Sequence, residues 1–198
     1  MSAREAILAD IRARKRSAAQ GPQSYRPSFQ TPDLVASFAD KAQAANTEIR
    51  ILESEAEIPT AVAEILRARN LAARIHLPPQ SDLAEAAWTI AVERSAPGPD
   101  DTALTRAPIA IAETGTLAQP ARETSPASWH FRPGFEIAVL KTSDIVAHFE
   151  DVVAKLKAAN LPATVNLITG PSRTGDIEQT LELGAHGPKA LAVLIVRD

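Results

Sequence analysis

Strand patterns alternating with helical patterns predict an α/β fold, a largely parallel sheet with helices on both faces. Two further observations point the same way. The 198 residues make about one domain, and 45% hydrophobic against 23% charged residues is ordinary for a soluble globular chain. Residues 143–159 carry the clearest helical stripe, with Ile145, Val146, Phe149, Val152, Val153 and Leu156 on one face. No internal repeat is evident.

The chain opens on a helix signal. Ser2 and Glu5 have capping-box spacing, and Ile7, Leu8 and Ile11 then share a face opposite Arg12, Arg14, Lys15 and Arg16. Two readings stand for this basic helix: a solvated arm lying on its own domain, or a docking surface. Residues 20–32 hold Gly21, Pro22, Pro27 and Pro32, an extended linker, because proline blocks both helix and ladder. The expected organisation is therefore an arm and linker over 1–32 and an α/β domain over 33–198.

Within that domain, Thr31 caps and Pro32 opens a helix through Leu34, Phe38 and Ala42. A strand follows at Glu48–Leu52, a helix at Pro59–Arg69 and a strand at Ala72–Leu77. A short helix at Ser81–Ala87 precedes a strand near Thr89–Glu93. Ile109–Ala112 and Thr116–Gln119 read as a strand pair around a Thr-Gly turn. Glu136–Leu140 is a strand, and the helix 143–159 ends at Asn160. Thr164–Thr169 reads as a buried strand, Thr174–Leu183 as a helix and Leu191–Val196 as the last strand.

Composition excludes several chemistries. There is no cysteine, so disulfides, thiolate-held zinc, a self-held iron–sulfur cluster and thiol catalysis fall away. The four histidines are scattered without a metal-binding spacing, and no metal site is expected. A net charge of −3 gives no nucleic-acid footprint. The first 20 residues have no secretory apolar core, and the longest uncharged stretch is interrupted by Pro162, Gly170 and Pro171. No membrane span is expected, and the cytoplasm is the expected location.

Three stretches have the makings of a site. In Ala110-Ile111-Ala112-Glu113-Thr114-Gly115-Thr116 an apolar strand delivers a carboxylate to a turn flanked by hydroxyls. Glu113 is a candidate nucleophile or base there, or a turn carboxylate capping nearby N–H groups. Gly170-Pro171-Ser172-Arg173-Thr174-Gly175-Asp176 leads from a strand into the predicted helix. Its hydroxyls and arginine suit an anion, or else Arg173 pairs with Asp176 or Glu178. In Leu183-Gly184-Ala185-His186-Gly187-Pro188 the glycine is a helix stop, and His186 is either an acid/base group or a cap. Trp129–Pro133 forms an aromatic–basic cluster, read as a pocket wall or a loop over the sheet edge.

In this order these motifs resemble the lactate-utilisation (LUD) domain family, in its LutC/YkgG-like branch. The resemblance rests on residues 110–117, on 164–174, on Asp176–Leu181 and on Gly184 with His186-Gly187-Pro188, and it extends over roughly 33–198. It implies a fold similar to the NagB/RpiA/CoA-transferase-like superfamily. It also implies oxidation of L-lactate to pyruvate alongside partner proteins that carry iron–sulfur clusters, this chain holding no cofactor itself. Matching positions make Glu113 the candidate catalytic residue. The candidate ligand contacts are Thr114, Gly115, Thr116, Gly170, Ser172, Arg173, Thr174, Asp176 and His186. The alternative is a small CoA- or acyl-transferase-like protein, or an anionic-metabolite binder, built on the same residues. The sequence departs from the family pattern at Ala118–Glu123, at His130–Arg132 and at Gly175. The oligomeric state is left open.

Overall fold

The computed structural model describes residues 2–13, 28–122, 125–159, 161–174, 182–184 and 187–198. Among these, α1 (Ala3–Ala13) has the predicted capping box: Glu5 Oε2 accepts from Ser2 N–H at 2.7 Å, and Ser2 Oγ accepts from Glu5 N–H at 3.3 Å. It buries none of its residues, and Ile7 and Ile11 are both exposed. The expected linker lies largely outside the described residues, but Phe29 near its end packs onto the core.

The helix α2 (Leu34–Ala44) is capped by Asp33, which accepts from Ala36 N–H at 2.9 Å, rather than by Thr31. After it come β1 (Glu48–Leu52), α3 (Ile58–Ala68), β2 (Arg74–His76) and β3 (Ala91–Glu93). Only a 3-10 turn, Asp82–Glu85, stands where a short helix was expected. The strand β4 (Thr102–Ala107) has no counterpart in the sequence reading. The hairpin β5 (Ile109–Ile111) and β6 (Thr116–Pro120) forms as predicted.

A short helix, α4 (Ser128–Phe131), occupies the aromatic–basic cluster, burying Trp129 and His130 while Phe131 stays exposed. Next are β7 (Phe135–Lys141), β8 (Ile145–Val146), α5 (Phe149–Ala158) and β9 (Val165–Ile168). The predicted helix 143–159 is thus shorter, because Ile145 and Val146 pair with Ala110 and Ile111 as a strand. The helix predicted at Thr174–Leu183 is overturned at both described ends: β10 (Arg173–Thr174) pairs antiparallel with β11 (Glu182–Leu183). The last strand is β12 (Ala190–Val196).

Six strands form one parallel sheet in the order β1-β12-β7-β4-β2-β3. A second sheet has the order β8-β5-β6-β9, in which β6 pairs antiparallel with both β5 and β9. The strand β12 shows how the layers stack. Its Ala192, Leu194 and Val196 meet Val62, Ile65 and Leu66 of α3, whereas Leu191, Val193 and Ile195 join Phe38 and Ala42 of α2. A strand apolar on both sides must be covered on both sides. The second cover is shared: α2 and the smaller sheet, through Ala110 and Leu117, lie on the same face. The far face of that smaller sheet packs on α5 through Ile109, Ile111, Val152 and Leu156.

Candidate functional site

The hairpin brings the first two motifs together. The tip after β5 carries Glu113, Thr114 and Gly115, and Gly115 N–H closes the turn on Ile111 O at 2.9 Å. Gly115 has φ +67°, and a Cβ there would lie 2.4 Å from Ala42 N. The register of β6 with β9 places Leu117 opposite Ile168, so Thr116 and Thr169 follow side by side. Thr116 Oγ1 lies 2.7 Å from both Thr114 Oγ1 and Thr169 Oγ1. Gly170 comes next with φ +73°, and a Cβ there would sit 2.1 Å from Ala45 O. Both turns therefore close against the last turn of α2, and only glycine fits either position.

The carboxylate of Glu113 is fully engaged. Its Oε2 lies 3.0 Å from His148 Nδ1, and its Oε1 accepts from Phe149 N–H at 3.0 Å. Phe149 is the first residue of α5, so Glu113 supplies from a distant turn the negative charge that a helix N-terminus favours. The arrangement is held from several sides. Glu113 N–H donates to Ala147 O at 3.2 Å, His148 N–H donates to Asp151 Oδ2 at 3.0 Å, and the ring of Phe29 meets His148 edge-on at 5.7 Å. Sequence reading missed His148, since 35 residues separate it from Glu113 and no motif contains both.

The third motif approaches through its glycine and proline. Ser172 N–H donates to Pro188 O at 2.8 Å, and Gly184 N–H donates to Ser172 O at 3.0 Å. A Cβ on Gly187 would lie 3.2 Å from that of Ser172. The amide of Ser172 is thus spent within the protein, and Arg173 stands exposed at the start of a strand rather than at a helix N-terminus. Thr174 pairs through its backbone with Glu182. The candidates Asp176 and His186 lie outside the described residues, as does Gly175. Among the described residues no three metal-ligating groups gather.

A second polar constellation lies beyond the other end of β6. There a cavity of about 310 Å³ opens at the carboxyl ends of β4 and β7. Arg106, Gln119, Arg122, Ser125 and Asp144 line it. Arg106 Nε donates to Asp82 at 2.8 Å and its Nη2 to Glu55 at 2.8 Å. Burial opposes a charge on both Arg106 and Asp82, but their mutual hydrogen bonds and charges outweigh it, raising the arginine and lowering the aspartate. Burial, helped by the charge of Asp198, raises Asp144. Arg106 Nη1 and Gln119 Nε2 are buried without a hydrogen-bond partner.

Behind Ser125 sits a buried relay. Ser125 Oγ lies 3.4 Å from His130 Nε2, and His130 Nδ1 lies 2.6 Å from Glu136 Oε1. Thr105 Oγ1 donates to the same oxygen at 2.7 Å, leaving Glu136 Oε2 without a partner. His130 is 1% exposed and Glu136 0%. The sequence held one signal for this group: Glu136 is the only charge in an otherwise apolar run, 135–140.

Comparison with known proteins decides the family. Residues 99–196 match the LUD domain, a span that contains the hairpin turn, the Gly170 turn and β12. The chain carries a LUD domain. It is LutC-like: it is 36% identical over 95 residues to a lactate utilization protein C of Geobacillus thermodenitrificans, covering 46% of this chain and 40% of that protein. A lactate utilization protein C of Macrococcus caseolyticus is 34% identical over 100 residues, covering 48% of this chain and 43% of that protein. These matches span about two-fifths of each relative's length. In fold, the chain is similar to a DUF162 family protein of Deinococcus radiodurans, with a TM-score of 0.63, 22% identity and coverage of 82% of this chain and 96% of that one. Among the described residues no helix is long and apolar enough to cross a membrane.

Proposed function

We propose that this LUD protein works in L-lactate utilisation as a LutC-like component, oxidation to pyruvate being carried out together with partner proteins that hold iron–sulfur clusters. The observation that carries this reading is the match of residues 99–196 to the LUD domain, with relatives called lactate utilization protein C. A chain without cysteine has no thiolate to hold a cluster, so the electrons pass through the partners. Gly115 and Gly170 close against α2's last turn, with Thr114 and Thr116 beside them; with Ser172, Arg173, Thr174, Asp176 and His186 they are the proposed contacts for an anionic metabolite. Affinity purification from the native host grown on L-lactate tests the reading. The expected result is co-purification of an iron–sulfur protein with lactate-dependent dye reduction. Absence of such a partner, with unchanged growth on lactate after deletion of the gene, overturns it.

Within this reading Glu113 positions rather than attacks. Both its oxygens have partners, and acylating either would remove the carboxylate from α5 and His148. Glu113→Gln separates this from the CoA-transferase-like alternative. The amide oxygen still accepts from Phe149 N–H, so the protein folds, whereas a nucleophilic role requires complete loss of turnover with an acyl-CoA. Activity retained within about tenfold supports positioning.

A further inference from the structure

We propose that the cavity at the carboxyl ends of β4 and β7 is a second, hydrolytic site for small acyl esters. In it Ser125 is the nucleophile, His130 its base and Glu136 the positioning residue of His130. None of these three residues is among the turn residues proposed above to contact an anionic metabolite. It begins with the placement of three side chains. A bridge between Arg122 and Ser125, closed by Arg122 N–H to Ser125 O at 3.2 Å and Ser125 N–H to Arg122 O at 3.1 Å, holds Ser125 at the cavity wall. The single turn of α4 directs His130 inward, and β7 presents Glu136 from the middle of the large sheet.

The atoms are in the order that nucleophilic activation requires. A carboxylate at Nδ1 selects the tautomer with its proton there, which leaves the lone pair of Nε2 facing the serine hydroxyl. The distance of 3.4 Å from Ser125 Oγ to Nε2 is long, as is common before a substrate seats. The base is hidden from the cavity and the nucleophile lines it. Gln119 and Arg106 also line the cavity, and each keeps a buried donor, Nε2 and Nη1, without a partner within the protein. A volume of about 310 Å³ is at the small end of ligand pockets and suits a small ester.

Energetics argue against a purely structural relay. Glu136 is buried in the central layer with one oxygen unpaired, and replacing the whole Glu136–His130 pair by well-packed apolar residues is the change that is often neutral or stabilising. A costly polar group in a core is retained where it performs a task.

The step balances with water as the only co-reactant. Ser125 Oγ bonds to the ester carbonyl carbon as its proton passes to His130 Nε2. The C–O bond to the alcohol breaks, and that proton leaves with the alcohol. Water then attacks the acyl-serine, gives a proton to His130, and the carboxylic acid departs as Ser125 Oγ recovers the proton.

Two measurements on the full chain test this. In the first, a fluorophosphonate probe should leave one adduct, mapped by mass to Ser125, and p-nitrophenyl acetate should be cleaved. Ser125→Ala should abolish both without moving the melting temperature by more than a few degrees. In the second, Ser125→Cys creates the only thiol in the chain. Next to His130 that thiol should react with iodoacetamide at pH 7 at least tenfold faster than N-acetylcysteine. An adduct elsewhere, no adduct, ester cleavage that survives Ser125→Ala, or a thiol less than tenfold faster than N-acetylcysteine overturns the proposal.

Discussion

Two glutamate–histidine pairs, each joined through Nδ1, stand at opposite ends of one strand and serve different ends. Glu113 and His148 meet at 3.0 Å, with side chains 19% and 17% exposed. Glu136 and His130 meet at 2.6 Å, with side chains 0% and 1% exposed. The strand β6 runs from Thr116 to Pro120, so roughly 13 Å separates its ends at about 3.3 Å per residue. In the outer pair the carboxylate spreads its two oxygens over a histidine and a helix terminus. In the inner pair one oxygen takes two partners and the other has none. The same chemical couple thus fastens structure where water is near and holds reactive potential where water is excluded. What differs is the number of unmet bonds, and an unmet bond in the core is the expensive kind.

Breaking the inner pair should produce the largest effect. Glu136→Ala leaves His130 and Thr105 without their acceptor, and about 3–5 kcal/mol of stability should be lost in urea unfolding, the range for a broken buried pair. A change under 1 kcal/mol would show that the pair is not held as described. Gly170→Ala sharpens the architecture that supports the outer pair. Left-handed backbone alone costs about 1–2 kcal/mol, and the added Cβ must also push Ala45 away. A melting temperature equal to the parent's would disprove that close approach.

Glu113→Ala should cost less than Glu136→Ala, about 1–2 kcal/mol, by uncapping α5. Hydrogen exchange should then rise first at Phe149–Val152, and a uniform rise across the fold would contradict the capping role.

The smallest effect concerns a third histidine–carboxylate contact, His76 with Asp101. Nε2 lies 3.3 Å from Oδ1 without hydrogen-bond geometry, while Nδ1 meets Ser95 O at 3.0 Å. The Gly98 amide lowers Asp101 most; burial opposes it, and the charge of His76 with the hydrogen bond and charge of Arg74 lower it further. A lowered carboxylate contributes stability that is present above its unfolded pKa of about 3.9 and is lost as pH falls through the folded value. Acid unfolding of Asp101→Asn should therefore be less steep below pH 4 than that of the parent. Identical acid transitions would remove Asp101 from the account.

How much of this was legible depends on which residues carry each element. The strands β7 and β12 announce themselves as apolar runs, β1 by isoleucines alternating with Glu48 and Arg50, and the turn between β5 and β6 by its Thr-Gly pair. The strand β4 does not: Thr102-Ala103-Leu104-Thr105-Arg106-Ala107 has one large hydrophobe and a cation, although Leu104 is fully buried. Ile145 and Val146 fit the helical period of α5 as well as they fit a strand, and pairing with β5 decided the matter. In the site, residues within one motif could be named in advance, because spacing alone places them on one turn. Partners supplied by other elements could not. His148 reaches Glu113 only because β8 lies beside β5, and Ser125 reaches Glu136 only because α4 folds His130 between them.

The sheet order has a consequence for where this protein can be cut. The stretch that matches the LUD domain, 99–196, supplies β4, β7 and β12, the middle of the large sheet. Both margins come from earlier in the chain: β1 flanks β12, and β2 with β3 flanks β4. The last turn of α2, against which Gly115 and Gly170 close, also comes from outside the match. A fragment trimmed to the match would bare two strand edges and the apolar face beneath α3, the surfaces along which chains zip into aggregates. The unit recognised by likeness is smaller than the unit that folds.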